Sequence, residues 1–106
     1  MPQLEGKRIA LTGAAGGIGS LVAERLAYAG AHLTGVDRFE CPQCDETIIA
    51  DLGSEEGLSA LFERLANRHV DILVNVAGMQ YFGPYERQEP ANIRLGFLVN
   101  LIAPAL

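Results

Sequence analysis

Cysteine, positive charge and long apolar runs are all scarce in this sequence, and each scarcity narrows what the chain can be. No apolar run approaches the roughly 20 residues of a membrane-spanning helix, and the opening MPQLEGKR has no apolar stretch of the secretory-signal kind. Cytoplasm is therefore the expected compartment. Only two cysteines occur, Cys41 and Cys44, too few for a disulfide framework and in keeping with a reducing compartment. The formal net charge is −5 at pH 7, which disfavours a general attraction to nucleic acid or to an anionic membrane surface. Linkers, internal repeats and low-complexity tracts are missing. At 106 residues the sequence predicts one domain, residues 1–106, with no room for a separate substrate domain.

What is present is an ordinary globular balance, 49% hydrophobic and 20% charged, arranged as alternating strands and helices. Lys7–Thr12 (KRIALT) is a short apolar run that ends in glycines, as a buried parallel strand entering a turn does. Ile18, Leu21, Val22, Leu26 and Ala29 recur at helical spacing until Gly30 supplies a stop. His32–Asp37 and Glu46–Asp51 predict a second and a third strand, with both cysteines in the connection between them. Ser54 is the expected N-cap of a helix carrying Leu58, Leu61, Phe62 and Leu65. Val70–Val76 (VDILVNV) is the most apolar strand and reads as central. Pro90 starts a last helix with Ile93, Phe97, Leu98, Leu101 and Ile102 on its apolar side. Strand–helix alternation requires right-handed crossovers, so the predicted fold class is α/β: a Rossmann-like, doubly wound parallel sheet, truncated, with strand order 3-2-1-4.

The most informative segment is Thr12-Gly13-Ala14-Ala15-Gly16-Gly17-Ile18-Gly19, set between a strand and a helix. Glycines there permit a tight turn, let backbone N–H groups reach a pyrophosphate, and aim a helix N-terminus at its charge. A glycine-rich turn that merely joins two elements is the bland alternative; strand before and helix after favour a dinucleotide. The spacing is not G-x-G-x-x-G but T-G-x-x-x-G-I-G.

That octet resembles the short-chain dehydrogenase/reductases, and the resemblance runs over essentially the whole chain. It implies the N-terminal, NAD-binding half of an oxidoreductase that exchanges hydride between NAD and an alcohol or ketone. Thr12, Gly13, Ala15, Gly17, Ile18 and Gly19 are then expected along the cofactor. Asp37, roughly 20 residues past the glycines, ends the second strand where a carboxylate accepts hydrogen bonds from ribose hydroxyls and repels a 2′-phosphate. Arg38 beside it is a guanidinium that would instead pair with that phosphate. Ala14 and Ala15 add no second cation, so NAD is expected ahead of NADP. By resemblance Asp51 contacts the adenine amino group with the Leu52 backbone alongside. Asn75-Val76-Ala77-Gly78 resembles the family's N-N-A-G, departing at Val76 and keeping the small Ala77 and Gly78; a structural amide is the other reading of Asn75.

Val99-Asn100-Leu101 with Ala103-Pro104 resembles the family's V-N-L-x-G-P, which makes Asn100 the first member of the catalytic asparagine, serine, tyrosine and lysine set. The remaining members are not in the sequence. The only lysine, Lys7, precedes Tyr28, Tyr81 and Tyr85, so no Tyr-x-x-x-Lys exists to lower a phenol from its ordinary pKa of about 10. Ser20, Ser54 and Ser59 all fall in the nucleotide half. The chain alone is therefore expected to be inactive. A non-catalytic nucleotide-binding or interaction module is the alternative.

Cys41-Pro42-Gln43-Cys44 is a C-x-x-C, a pattern shared by metal half-sites and redox pairs. His32 and His69 read as helix-to-strand junctions and are not spaced as a further ligand pair. Loop decoration is the favoured reading, metal bound across a dimer its rival, and no metal site is assigned. Expected partners are a small alcohol or ketone and a second copy of the chain, with neither nucleic acid nor membrane.

Overall fold

The computed structural model describes residues 3–78, 87, 89–97, 99 and 100. Four parallel strands, β1 (Arg8–Thr12), β2 (His32–Asp37), β3 (Glu46–Ile49) and β4 (Ile72–Asn75), form one sheet in the order β3-β2-β1-β4. Helices α1 (Gly17–Tyr28), α2 (Glu55–Ala66) and α3 (Pro90–Phe97) intervene or follow. Register runs Thr12 opposite Val36 and Asn75, and Asp37 opposite Ile49, so the C-terminal ends of all four strands open on one edge. In a parallel α/β sheet that edge is where ligands bind.

Three strands are shorter than their apolar runs. Ala50 still donates its N–H to the Asp37 carbonyl, but beyond Ile49 the chain turns toward α2. β4 starts late, after Asp71, whose N–H donates to the Arg8 carbonyl while its carboxylate accepts the Arg8 N–H at 2.8 Å. β4 is the most apolar strand in sequence, yet it takes the outer position opposite β3, with Leu73 54% exposed.

The core forms where β1 and β2 meet α1: Ile9, Leu11, Leu33, Ala14 and Ala23 are buried together with Cys41. The helix spacing misplaces part of α1. Ile18 and Leu21 are exposed, whereas Gly19 and Ala23 are the residues pressed to the sheet. Small residues win that face because the helix axis lies too close for a larger side chain. A Cβ added at Gly19 would stand 1.7 Å from the Gly13 carbonyl oxygen. The helix stops as expected, with Gly30 at φ 94° and N–H bonds from Gly30 and Ala31 back to Ala27 and Leu26.

A second cluster, Val36, Ile48 and Leu61, lies under α2, while Phe62 turns outward. The Ser54 hydroxyl caps α2 by accepting the Gly57 N–H at 2.9 Å. Past its C-terminus, Arg68 grips Glu46 of β3 through Nε (2.9 Å) and Nη2 (3.0 Å). Of the last helix, Leu98, Leu101, Ile102 and the Ala103-Pro104 segment lie outside the described residues, as do the side chains of Ile93 and Phe97 and the tyrosines Tyr81 and Tyr85.

Candidate cofactor cleft

At the C-terminal edge of the sheet a cleft of about 690 Å³ runs from the glycine turn, past the ends of β2 and β3, to the segment after β4. Each wall is the product of a local sequence choice. Thr12 ends β1, and Gly13 follows at φ 71°, a left-handed conformation that L side chains rarely adopt. A Cβ there would also lie 2.7 Å from the Ala77 backbone nitrogen. The turn therefore lies flat against the segment that follows β4. Gly16 then caps α1 without a side-chain bond, and no acidic residue occupies the first turn. The opening N–H groups of α1, at Gly17, Ile18 and Gly19, border the cleft, and the positive end of the helix dipole has no side-chain anion of its own. A Cβ at Gly17 would meet nothing within 4 Å. That open, donor-rich cradle fits a phosphate group.

Asp37 closes the next wall. Its Oδ2 accepts the Ala15 N–H at 3.0 Å, and its Oδ1 accepts the N–H groups of Arg38 (2.6 Å) and Phe39 (3.3 Å). The carboxylate thus braces the glycine turn from the tip of β2 while lining the cleft. Arg38 makes no ion pair with Asp37 among the described residues; its guanidinium carbon sits 5.8 Å from the centre of the exposed Phe39 ring. Asp51 is exposed, accepts the Gly53 N–H at 2.8 Å in the turn that opens α2, and borders the cleft with Leu52.

Thr12 and Asn75 do not line the cleft. Thr12 is buried, its hydroxyl donates to Asn75 Oδ1 at 3.3 Å, and Thr12 Oγ1 accepts the N–H groups of Val76 (3.2 Å) and Ala77 (3.3 Å). The pair bolts β1 to the end of β4 and so sets where Ala77 and Gly78 border the cleft, which is the structural-amide reading of Asn75. Asn100 comes to that end of the cleft: its Oδ1 would stand 3.3 Å from a Cβ placed on Gly78.

Sequence reasoning missed Phe39, Leu95 and Val99, which also line the cleft. Phe39 carried a usable signal, an aromatic two residues beyond a strand-end carboxylate. Val99 stood in the V-N-L segment without being assigned to the site, and Leu95 carried no signal, because it reaches the cleft only through α3 crossing the β3–α2 turn. There Leu95 Cδ1 would lie 2.6 Å from a Cβ on Gly53.

The model of the short chain dehydrogenase family matches residues 7–106. The chain belongs to that family. Coniferyl-alcohol dehydrogenase of a Pseudomonas species is 36% identical over 92 residues, 86% of this chain and 35% of the relative. Bovine L-xylulose reductase is 32% identical over 110 residues, 95% of this chain and 44% of the relative. The chain thus spans less than half the length of either. Among solved structures, a gluconate 5-dehydrogenase assigned to Beutenbergia cavernae, with bound NADP, superposes at a TM-score of 0.86. Its identity is 34%, and the match covers 97% of this chain and 47% of that one. A short chain dehydrogenase of Leptospira borgpetersenii with bound NAD+ gives 0.84 and 26%, covering 97% and 43%. The four-stranded unit is the NAD(P)-binding Rossmann region of the short chain dehydrogenases.

The C-x-x-C segment lies in the loop between β2 and β3 and packs inward. Cys41 is buried in the principal core cluster, with Cys44 packed against the same cluster. Among the described residues no group of three or more His, Cys, Asp and Glu is placed to hold a metal ion. His32 begins β2, and His69 Nε2 lies 2.7 Å from Asp71 Oδ1 at the start of β4, both away from the cleft.

Proposed function

We propose that the chain binds NAD in preference to NADP, as the cofactor-holding part of an oxidoreductase acting on a small alcohol or ketone. Asp37 carries this reading. Its carboxylate lines the cleft at the tip of β2 with no cation paired to it among the described residues. An anion so placed accepts hydrogen bonds from vicinal ribose hydroxyls and opposes a 2′-phosphate. The N–H groups of Gly17, Ile18 and Gly19 hold the pyrophosphate, and Asp51 and Leu52 border the adenine. Ala77 and Gly78 leave the backbone open for the rest of the dinucleotide. Bound NAD supplies or accepts hydride. Asn100, beside Gly78, is the chain's own contribution to the proton-relay end.

The relatives' names, dehydrogenases and a reductase, support the oxidoreductase class. These 106 residues contain no Tyr-x-x-x-Lys, so the part proposed for them is to hold the cofactor. No described helix is long and apolar enough to cross a membrane.

Calorimetric titration with both cofactors tests the preference. NAD should bind at least tenfold more tightly, and Asp37→Ser should erase most of that margin. Tighter binding of NADP by the unaltered chain would put Arg38 on the 2′-phosphate and overturn the reading.

A further inference from the structure

We propose that Cys41 and Cys44 are a redox-active dithiol that a small-molecule disulfide oxidises to an intrachain disulfide, with Cys44 attacking and Cys41 resolving. The two residues are the ends of a β-turn closed by the Cys44 N–H on the Cys41 carbonyl at 3.1 Å. Pro42 stands at its second position, where its fixed φ suits the turn. Such a turn holds its end Cα atoms within about 7 Å, overlapping the roughly 4.4–6.8 Å range of disulfides. The side chains already converge, for the Cys44 thiol donates to Cys41 Sγ at 3.1 Å. Bond formation at about 2.05 Å requires a further approach of only about 1 Å.

Two features of the surroundings keep the pair aligned. The Cys41 N–H donates to Thr47 Oγ1 of β3 at 3.1 Å, and the Thr47 hydroxyl lies 3.4 Å from the Cys41 carbonyl. Below them Gly35 of β2 leaves the space the sulfurs occupy: a Cβ there would stand 2.8 Å from Cys44 Sγ and 3.5 Å from Cys41 Cβ. The same Cβ would be 3.0 Å from Ala14 of the glycine turn, so the dithiol sits behind the cleft, not in it.

Accessibility orders the steps. Cys41 is 2% exposed and Cys44 is partly exposed. The Cys44 thiolate attacks one sulfur of R–S–S–R, forming a mixed disulfide and releasing one RS⁻. Cys41, having lost its proton to solvent, then attacks the Cys44 sulfur, forming the Cys41–Cys44 bond and releasing the second RS⁻. Two cysteine thiols are oxidised, one external disulfide is reduced to two RSH, and the protons balance. Burial first, then the contact with Cys41 and the neighbouring Asp45 charge, push the Cys44 thiol up to about 12. The Cys44 thiolate is therefore a minor species at neutral pH, and the exchange needs a disulfide in excess.

Intact-mass measurement of the folded chain treated with oxidised glutathione tests this. The expected product has lost two hydrogens, carries no glutathione, shows no titratable thiol and regains both with dithiothreitol. Cys41→Ser should retain one glutathione on Cys44, whereas Cys44→Ser should leave Cys41 unmodified under the same conditions. Stable glutathione on both cysteines of the unaltered chain, unreacted thiols in excess oxidised glutathione, or ready modification of Cys41 in Cys44→Ser would each overturn the proposal.

Discussion

Substituting Gly19 and Gly17 in separate chains divides what the glycine turn does for folding from what it does for cofactor. At Gly19 a Cβ would sit 1.7 Å from the Gly13 carbonyl oxygen and 2.6 Å from its carbon. Ordinary contact begins near 3.4 Å, so α1 and the turn must part by about 1.7 Å. Both atoms belong to the backbone, so no side chain can swing aside. Overpacking of this kind costs roughly 1–3 kcal/mol and more when the backbone must move. At about 4–8 °C per kcal/mol for a domain of this size, Gly19→Ala should lower Tm by roughly 10 °C or more. Gly17 is the opposite case, since a side chain there meets open space in the cleft. Gly17→Val should leave Tm within the few degrees typical of a surface change, about 0.5 kcal/mol either way. It should nonetheless abolish the thermal stabilisation given by NAD, because a side chain in the cradle keeps a phosphate from the N–H groups of α1. Each hydrogen bond to a charged group is worth about 1.5–3 kcal/mol, and losing one weakens binding roughly tenfold to a hundredfold. Thermal denaturation of both variants with and without NAD decides the matter. A Gly17→Val chain that NAD still stabilises fully, or a Gly19→Ala chain with an unchanged Tm, would refute the reasoning.

Three further outcomes are expected. The Arg68 hydrogen bond holds the Glu46 carboxyl below its ordinary 4.5, so the pair's stabilisation is complete above that pH and fades as pH falls through the lower folded value. Both side chains are partly exposed, so solvent screening keeps the effect small. Arg68→Ala should accordingly lose stability above pH 5 and converge on the parent in acid, as urea titrations across pH would show. The isolated chain should show no alcohol or ketone turnover, lacking the proton transfer that usually contributes about 10²- to 10⁴-fold; an activity that survives purification and changes in Asn100→Ala would contradict this. Finally, β4 offers an outer strand edge with Ile72 and Leu73 exposed, a template for pairing. Sedimentation at low micromolar concentration should therefore show a dimer or larger species, and a stable monomer would refute it.

Asp37 and the glycines were legible because their signals are local: a carboxylate at a strand end, a fixed number of residues from a turn that only glycines satisfy. Thr12 and Asn75 were legible as part of a motif but not in their use, since their hydroxyl–amide contact joins residues 63 apart in sequence. The helical spacing of α1 identified a helix but did not separate its buried from its exposed apolar residues: Val22 and Leu26 pack against the core, whereas Ile18 and Leu21 are exposed. Periodicity weighs side-chain hydrophobicity, whereas here the distance between backbones chose Gly19 and Ala23.

The order of elements, the parallel sheet and the position of the phosphate turn followed from the sequence alone, because strand–turn–helix alternation and backbone stereochemistry act over a few residues. Tertiary structure alone decided two other matters. It brought Leu95 of α3, and Val99 beyond the helix end, against Gly53 at the cleft. It also packed the C-x-x-C loop against the core, where Gly35 of β2 leaves room for Cys44 Sγ and Cys41 Cβ. Such outcomes depend on which surfaces meet, and a residue's neighbours in sequence carry little information about its neighbours in space.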